Sequence, residues 1–152
     1  MSAEGRLEEL GIVLPAPPAA AGLYAPCVQA GSLVVVSGQV PVHEGRPIRQ
    51  GKLGADVTVE EGAELARQCA LQALTIVRGH LGSLDRVGRV IRVAGYVAGA
   101  DSFTDHPKVI NGASQVLLDV FGEAGRHARI AIGVAELPFG VPVEVEFMFE
   151  AP

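Results

Sequence analysis

The chain has no tryptophan and few cysteines for its 152 residues. Aromatic residues make up only 5% of it, so its core must be built from aliphatic side chains. The two cysteines, Cys27 and Cys69, are too few for a disulfide framework, and neither has a CxxC partner. A reducing cytoplasm is therefore the expected location, and Cys69 is expected to be a core residue.

Long apolar runs and basic runs are missing as well. No apolar stretch approaches the roughly 20 residues of a membrane-spanning helix, so no membrane partner is expected. The net charge of −5 argues against a nucleic-acid partner, because phosphate binding needs a surplus of Lys and Arg on one face. The mean hydropathy of +0.33 is high, and this favours burial of apolar surface between subunits.

Several familiar site motifs are also absent. The histidines have neither HxH nor HxxxH spacing, so no metal is expected at His43, His80, His106 and His127. There is no GxSxG elbow, and the glycines form neither GxGxxG nor GxxxxGK[ST]. No organic cofactor is expected, and His127, at the end of a loop, is expected to be exposed.

The N-terminal part differs in composition from the rest of the chain. Residues 5–11 predict a short helix, and the Pro- and Ala-rich residues 15–22 predict an extended linker. We therefore interpret residues 1–21 as an N-terminal arm and residues 22–152 as one domain, since the length suits a single core.

The periodic segments of this domain follow one another in a clear order. Thr58 and Glu61 form a capping box at the start of the first long helix, and Pro107 is suited to the first turn of the second. The predicted segments are strands 27–30 and 32–37, a surface loop 43–54, helix 58–81, strand 87–97, helix 107–122, and strands 128–135 and 143–149.

This order predicts an α+β sandwich, a mainly antiparallel sheet with two helices on one face. No segment is left to cover the other face of the sheet. We therefore expect another subunit to cover it.

Arg129 is the most informative residue, because it is a permanent cation within a small and apolar strand. Alternation predicts that one side of this strand belongs to the core, namely Ala128, Ile130, Ile132 and Val134. On the other side Arg129 is followed by Ala131 and Gly133, which leave room for a carboxylate against the guanidinium. The alternatives are a solvated Arg and an Arg paired with an internal carboxylate.

The last strand alternates strictly between valine or phenylalanine and mostly glutamate. Glu146 and Glu150 are expected to form a solvated acidic face. If the last two strands pair through their short loop, Glu144 and Arg129 are not neighbours. A contact between them would then need a shifted register or a second subunit.

Several of these residues occur in an order that resembles the RidA/YjgF/UK114 family over about residues 22–150. The matching pieces are Tyr24, Val36-Ser37-Gly38-Gln39-Val40-Pro41, the strand Val93-Ala94-Gly95-Tyr96-Val97-Ala98, Val109-Ile110-Asn111, Ala128-Arg129, Val134-Ala135-Glu136-Leu137-Pro138 and Val143-Glu144-Val145-Glu146. Single pieces such as SGQ are weak, but the order is specific.

The resemblance implies a bacillary chorismate-mutase-like fold and a homotrimer with clefts between subunits. It also implies hydrolytic deamination of reactive 2-imino or 2-enamino acids to 2-keto acids and ammonia, without a metal or organic cofactor. Arg129 would bind the carboxylate of a small metabolite and Glu144 would help to place the attacking water. Tyr24, Ser37 and Asn111 would line the cleft.

The chain departs from the family pattern at Ala131, where many members have a cysteine. Ala131 belongs to the predicted substrate site if it acts through its backbone; otherwise the pocket differs. The arm and the 43–54 loop resemble a subgroup labelled endoribonuclease L-PSP or chorismate-mutase-like. A non-catalytic binding or regulatory protein for small carboxylates is the main alternative function, and a ribonuclease is the weakest because the chain is acidic.

Overall fold

The structure is a computed structural model that describes residues 1–152. The helices are α1 (Ala3–Glu9), α2 (Val59–Leu81) and α3 (His106–Phe121). The strands are β1 (Cys27–Ala30), β2 (Leu33–Gln39), β3 (Val42–His43), β4 (Arg46–Pro47), β5 (Arg89–Ala98), β6 (Ala128–Val134) and β7 (Val143–Glu150). The predicted order of helices and strands is confirmed, with β3 and β4 in addition.

Five of the strands form one sheet in the order β1-β2-β7-β5-β6. Strands β5 and β6 are parallel, and the other neighbours are antiparallel. Helices α2 and α3 pack side by side on one face of the sheet. The α+β sandwich with a mainly antiparallel sheet and two helices on one face is therefore confirmed.

Local sequence explains the bounds of α2. The Thr58 side chain accepts from the Glu61 amide and the Glu61 carboxylate accepts from the Thr58 amide, which completes the predicted capping box. Gly82 ends the helix with a φ of 87°, a conformation that glycine adopts without strain. Cys69 is fully buried in the core, as predicted. No helix is both long enough and apolar enough to cross a membrane.

The prediction of a plain surface loop over residues 43–54 is wrong in part. Strand β3, which begins at Val42, pairs with β4 inside this segment. Leu53 is completely buried. The Leu53 amide donates to the Ala98 carbonyl at 3.0 Å, and the Ala100 amide donates to the Leu53 carbonyl at 2.9 Å. These bonds hold the loop against the end of β5, so Leu53 packs into the core.

The prediction that Ile130 and Ile132 belong to the core is also wrong. Their exposed fractions are 38% and 44%, because they lie on the face of the sheet opposite α2 and α3, which we call the open face. Arg129 pairs across β5 with the helix-facing Val93 and therefore lies on the helix side. Small residues occupy this side of β6 because α3 runs close to it.

The N-terminal arm is attached to the body at several points. Leu7 is buried in the core, and the Glu4 carboxylate accepts from the Leu84 amide at 2.9 Å and pairs with Arg78 at 3.3 Å. The Thr75 hydroxyl donates to the Pro15 carbonyl at 2.9 Å. The division between residues 1–21 and 22–152 stays a prediction, since these contacts do not define a domain boundary.

The two long helices approach each other closely at Gly112. A Cβ atom at this position would collide with the Ala63 backbone carbonyl on α2. We expect Gly112→Ala to lower the free energy of unfolding by about 2 kcal/mol or more, because backbone atoms cannot move aside cheaply. Urea denaturation measures the change.

Gly79→Ala is the matched control in α2. Nothing lies within 4 Å of a Cβ at Gly79. Alanine there should raise the free energy of unfolding by about 0.5–1 kcal/mol through helix propensity alone. Equal effects of the two substitutions would contradict the packing explanation.

Candidate functional site

Arg129 lies on the edge strand β6, with its side chain held against α3. Its Nη1 donates to Asn111 Oδ1 at 2.8 Å and to Ser114 Oγ at 3.1 Å. Its Nη2 donates to the Pro107 carbonyl at 3.4 Å. Asn111 and Ser114 are three residues apart on α3, so they present their side chains on the same helix face.

These bonds leave part of the guanidinium unused. Both hydrogens of Nη1 have acceptors, whereas Nε and one hydrogen of Nη2 have none. No carboxylate lies within 4.0 Å of Arg129, since none of the ion pairs includes it. The two free N–H groups are on neighbouring nitrogens, the arrangement that grips both oxygens of a carboxylate.

His127 completes this group of side chains. Its Nε2 lies 2.9 Å from Ser114 Oγ, and its Nδ1 lies 2.6 Å from the Gly125 carbonyl oxygen. We call Asn111, Ser114, His127 and Arg129 the arginine cluster. The cluster lines an open cavity of about 420 Å³ together with Leu118 and Arg126.

The expectation that His127 is simply exposed is wrong. The ring is partly buried between α3 and the turn before β6, and both nitrogens have partners. Burial lowers the pKa of His127, the nearby positive charge of Arg129 lowers it further, and the hydrogen bond to Gly125 opposes both. The imidazole is therefore neutral at pH 7.

The room predicted beside Arg129 is filled by the chain itself. A Cβ at Gly133 would lie 2.6 Å from His106 Nε2, and one at Gly95 would collide with Ile110. Ala131 is partly buried and packs against the core between these positions. The small residues of β6 thus admit α3, and a ligand can reach Arg129 only from the cavity.

Tyr24, Ser37 and Glu144 belong to another region, where Gly38 lies between the Ser37 position and the Glu144 side chain, and we call these three residues the glutamate cluster. Tyr24 and Ser37 line a second cavity of about 620 Å³, and so does Gly38. The Glu144 carboxylate packs against Gly38, where a Cβ would lie 2.7 Å from Glu144 Oε1. A bulge in β2 between Val36 and Gln39 creates this contact.

Further contacts fix the members of the glutamate cluster. The Ser37 hydroxyl donates to the Ala25 carbonyl at 2.6 Å, and the Tyr24 hydroxyl accepts from the Ala21 amide at 3.2 Å. Residues 15–21 of the arm line the same cavity. The arm therefore forms one wall of the cavity that Tyr24 also lines.

Glu144 has a raised pKa in this region of the structure. Burial raises the pKa of Glu144, and the negative charge of Glu146 raises it further. Glu146 pairs with Arg92 at 3.5 Å and is only about one-third exposed, so the expected fully solvated acidic face is wrong for Glu146. Glu144 has no ion-pair partner, and its carboxyl group keeps its proton to a higher pH than an ordinary glutamate does.

The structure does not bring Arg129 and Glu144 together within one chain. Strand β5 lies between β6 and β7, and Arg129 is on the helix face whereas Glu144 is on the open face. Glu144 is three residues along β7 from Phe147, which shares the row of Arg129. The backbone separation is therefore roughly 10 Å along and 10 Å across the sheet.

Sequence reasoning missed Ser114 and undervalued His127. Ser114 follows Asn111 by three residues on a predicted helix, and His127 precedes Arg129 by two on a predicted strand. A spacing of three on a helix and a spacing of two on a strand each put two side chains on one face. These spacings are the signal that could have identified Ser114 and His127. No group of three or more His, Cys, Asp or Glu side chains is placed to hold a metal ion.

Comparisons with known proteins agree on one family. The sequence model of the family described as "YjgF/chorismate mutase-like, putative endoribonuclease" matches residues 4–149. Protein TCP17 of Trypanosoma cruzi is 48% identical over 145 residues, which cover 95% of this chain and 91% of that protein. The family match includes most of α1, which lies outside the part of the chain that carries the sequence resemblance.

Two solved structures show the same fold. A Shewanella oneidensis protein, also described by an endoribonuclease name, has a TM-score of 0.94 and 37% identity, and the match covers 99% of both chains. RidA from an Antarctic Psychrobacter has a TM-score of 0.62 and 26% identity, and the match covers 88% of this chain and 93% of that one. The chorismate-mutase-like fold predicted from the resemblance is thus confirmed.

The raised pKa of Glu144 predicts a stability effect that depends on pH. The folded chain binds this proton more tightly than the unfolded chain, whose glutamate pKa is about 4.3. The stability that this proton supplies is complete below the unfolded pKa and is lost as pH rises through the raised folded pKa. We therefore expect Glu144→Gln to raise the free energy of unfolding at about pH 8 and to leave it unchanged at about pH 3.5.

The same measurement in a Glu146→Gln background is the control. Removal of the Glu146 charge takes away one cause of the raised pKa, so the gain from Glu144→Gln should shrink. A gain that is the same at both pH values would contradict the prediction.

Proposed function

Because the chain belongs to the RidA/YjgF family, we propose that it hydrolyses reactive 2-imino and 2-enamino acids to 2-keto acids and ammonia. The observation that carries this proposal is the unsatisfied fork of Arg129, which has two free N–H groups and no carboxylate partner in its own chain. A small carboxylate-bearing metabolite is the ligand that matches these donors.

The reaction needs little chemistry from the protein. The carbon of a protonated imine is already electrophilic, so a water oxygen adds to it once the substrate is held in place. Arg129 holds the carboxylate, and the Glu144 carboxylate orients the water and accepts its proton. Glu144 then returns this proton to the amine nitrogen and, as a carboxylate again, accepts the proton of the new hydroxyl group, so that the C–N bond breaks, the keto group forms and ammonia leaves.

The raised pKa of Glu144 supports this role. A general acid and base works best when its pKa lies near the working pH, and burial moves Glu144 in that direction. Tyr24 and Ser37 line the second cavity together with Gly38, against which Glu144 packs, and are suited to hold the rest of the substrate. Asn111 keeps Arg129 in position from α3.

A second copy of the chain is required to join the two clusters, because they lie on opposite faces of the sheet. The open face supports association, since it carries partly exposed apolar residues on several strands, namely Leu33, Tyr96, Ile130, Ile132 and Met148. We propose a homotrimer in which the arginine cluster of one subunit faces the glutamate cluster of the next.

Deamination is tested with 2-aminoacrylate that a serine dehydratase generates in the assay, and ammonia release is followed. Removal of Arg129 leaves the substrate carboxylate without its partner, so Arg129→Ala should lower kcat/KM by about 100-fold or more. Glu144→Gln should lower kcat by about 100-fold with little change in KM.

Arg67→Ala is the matched control, because Arg67 is an arginine on α2 that lines neither cavity and pairs only with Glu64. It should change kcat/KM by less than about threefold. Equal ammonia release with wild type and Arg129→Ala would refute the proposal. Thermal stabilisation by 2-keto acids without turnover would point to a binding protein instead, and RNA cleavage that survives Arg129→Ala would point to a ribonuclease.

The oligomer is tested by light scattering. We expect wild type to have three times the 15.8 kDa mass of one chain. Ile130→Lys places a charge on the open face and should give the mass of a monomer and lose the deaminase activity, because the clusters no longer meet. Val13→Lys is the control, since Val13 is 86% exposed and lies in the arm. An active wild-type monomer would contradict this arrangement.

A further inference from the structure

A directed series of hydrogen bonds runs behind Arg129, from its guanidinium to Ser114, from Ser114 to His127, and from His127 to the Gly125 backbone. We propose that Ser114 and His127 are positioning residues that fix the guanidinium of Arg129, so that its two free N–H groups face the cavity as a preformed carboxylate fork. This inference rests on the proposed function, because it assigns Arg129 to the substrate carboxylate.

The direction of each hydrogen bond follows from the chemistry of the groups. The Gly125 carbonyl can only accept, so the His127 Nδ1 that lies 2.6 Å from it must carry a hydrogen. In the neutral ring Nε2 is then an acceptor, and the Ser114 hydroxyl 2.9 Å away donates to it. The lone pairs of Ser114 Oγ are thereby turned towards Arg129 Nη1 at 3.1 Å.

Burial makes this arrangement rigid. Ser114 is only 9% exposed, and His127 is shielded between α3 and the turn after it. Burial and the Arg129 charge keep the His127 ring neutral by lowering its pKa. A neutral ring is the form that can accept from Ser114, so the orientation of the hydroxyl is defined.

The effect on Arg129 is to fix one end of the fork. Ser114 and Asn111 take both hydrogens of Nη1, and rotation of the guanidinium would break both bonds. The free donors on Nε and Nη2 then point in one direction before any ligand arrives. Such preorganisation strengthens binding because less side-chain entropy is lost when the carboxylate binds.

Ligand affinity tests the proposal, with 2-oxobutyrate as the probe and calorimetric titration as the measurement. Ser114→Ala and His127→Phe should each weaken binding by about 5- to 10-fold, the cost of ordering one long side chain when the ligand binds. His127→Gln keeps a donor and an acceptor and should restore affinity to within about threefold of wild type. His80→Phe, on α2, is the control and should bind as wild type does.

A double-mutant cycle distinguishes positioning from a general structural effect. In an Arg129→Lys background, Ser114→Ala and His127→Phe should weaken binding by less than about twofold, because the group that they position is absent. A purely structural role would give the same loss in both backgrounds. Wild-type affinity of Ser114→Ala and His127→Phe would overturn the proposal.

A second measurement does not depend on the ligand. Exchange between the Nη1 and Nη2 protons of Arg129, which occurs by rotation of the guanidinium and is followed by NMR in the free protein, should be at least about fivefold faster in His127→Phe than in wild type and His80→Phe. Unchanged exchange would overturn the positioning role. If wild type neither binds 2-oxobutyrate nor releases ammonia, the proposed function fails, while the exchange measurement still decides whether His127 orders Arg129.

Discussion

The close approach of α3 to the sheet determines much of what this molecule presents to its surroundings. At Gly95 and Gly133 a Cβ atom would run into Ile110 and His106, so larger side chains cannot face the helix at these positions. The isoleucines of β6 must therefore point the other way. This one steric constraint places the isoleucines of β6 on the open face and Arg129 against α3.

The same constraint divides the chemistry between two faces. Arg129 is buried enough to be ordered by Asn111 and Ser114, yet it keeps two donors free. Glu144 lies on the open face without an ion-pair partner, in a place that raises its pKa. Neither group is satisfied within its own chain, and each would be stabilised by what the other cluster brings. In the proposed trimer, function and assembly would therefore depend on the same faces.

The sequence predicted the helices and strands well, but it predicted less well which face of a strand is buried. The Thr58 capping box and the alternation of β7 depend on neighbours in the chain, and for that reason α2 and the buried side of β7 were predictable. Alternation divides the residues of β6 between two faces but does not say which face is buried. The isoleucines favoured the face of Ile130, whereas the structure buries the face of Arg129. Only the packing of α3 decides between them.

The sequence indicates candidate site residues but not where the fold places each of them. The order of the motifs indicated Arg129 and Glu144, but the insertion of β5 between their strands is a property of the sheet topology. His127 was undervalued because its partner Ser114 lies on α3, 13 residues earlier in the chain.

The position of β7 has a consequence for how the chain reaches this structure. It is the last strand in order, yet it pairs with both β2 and β5 and so joins the β1–β2 hairpin to the β5–β6 pair. The hairpin and the later unit can each form locally during synthesis, but the sheet cannot close until residues 143–150 have left the ribosome. Until then the edges of β2 and β5 that pair with β7 stay without hydrogen-bond partners, and unpaired strand edges favour aggregation.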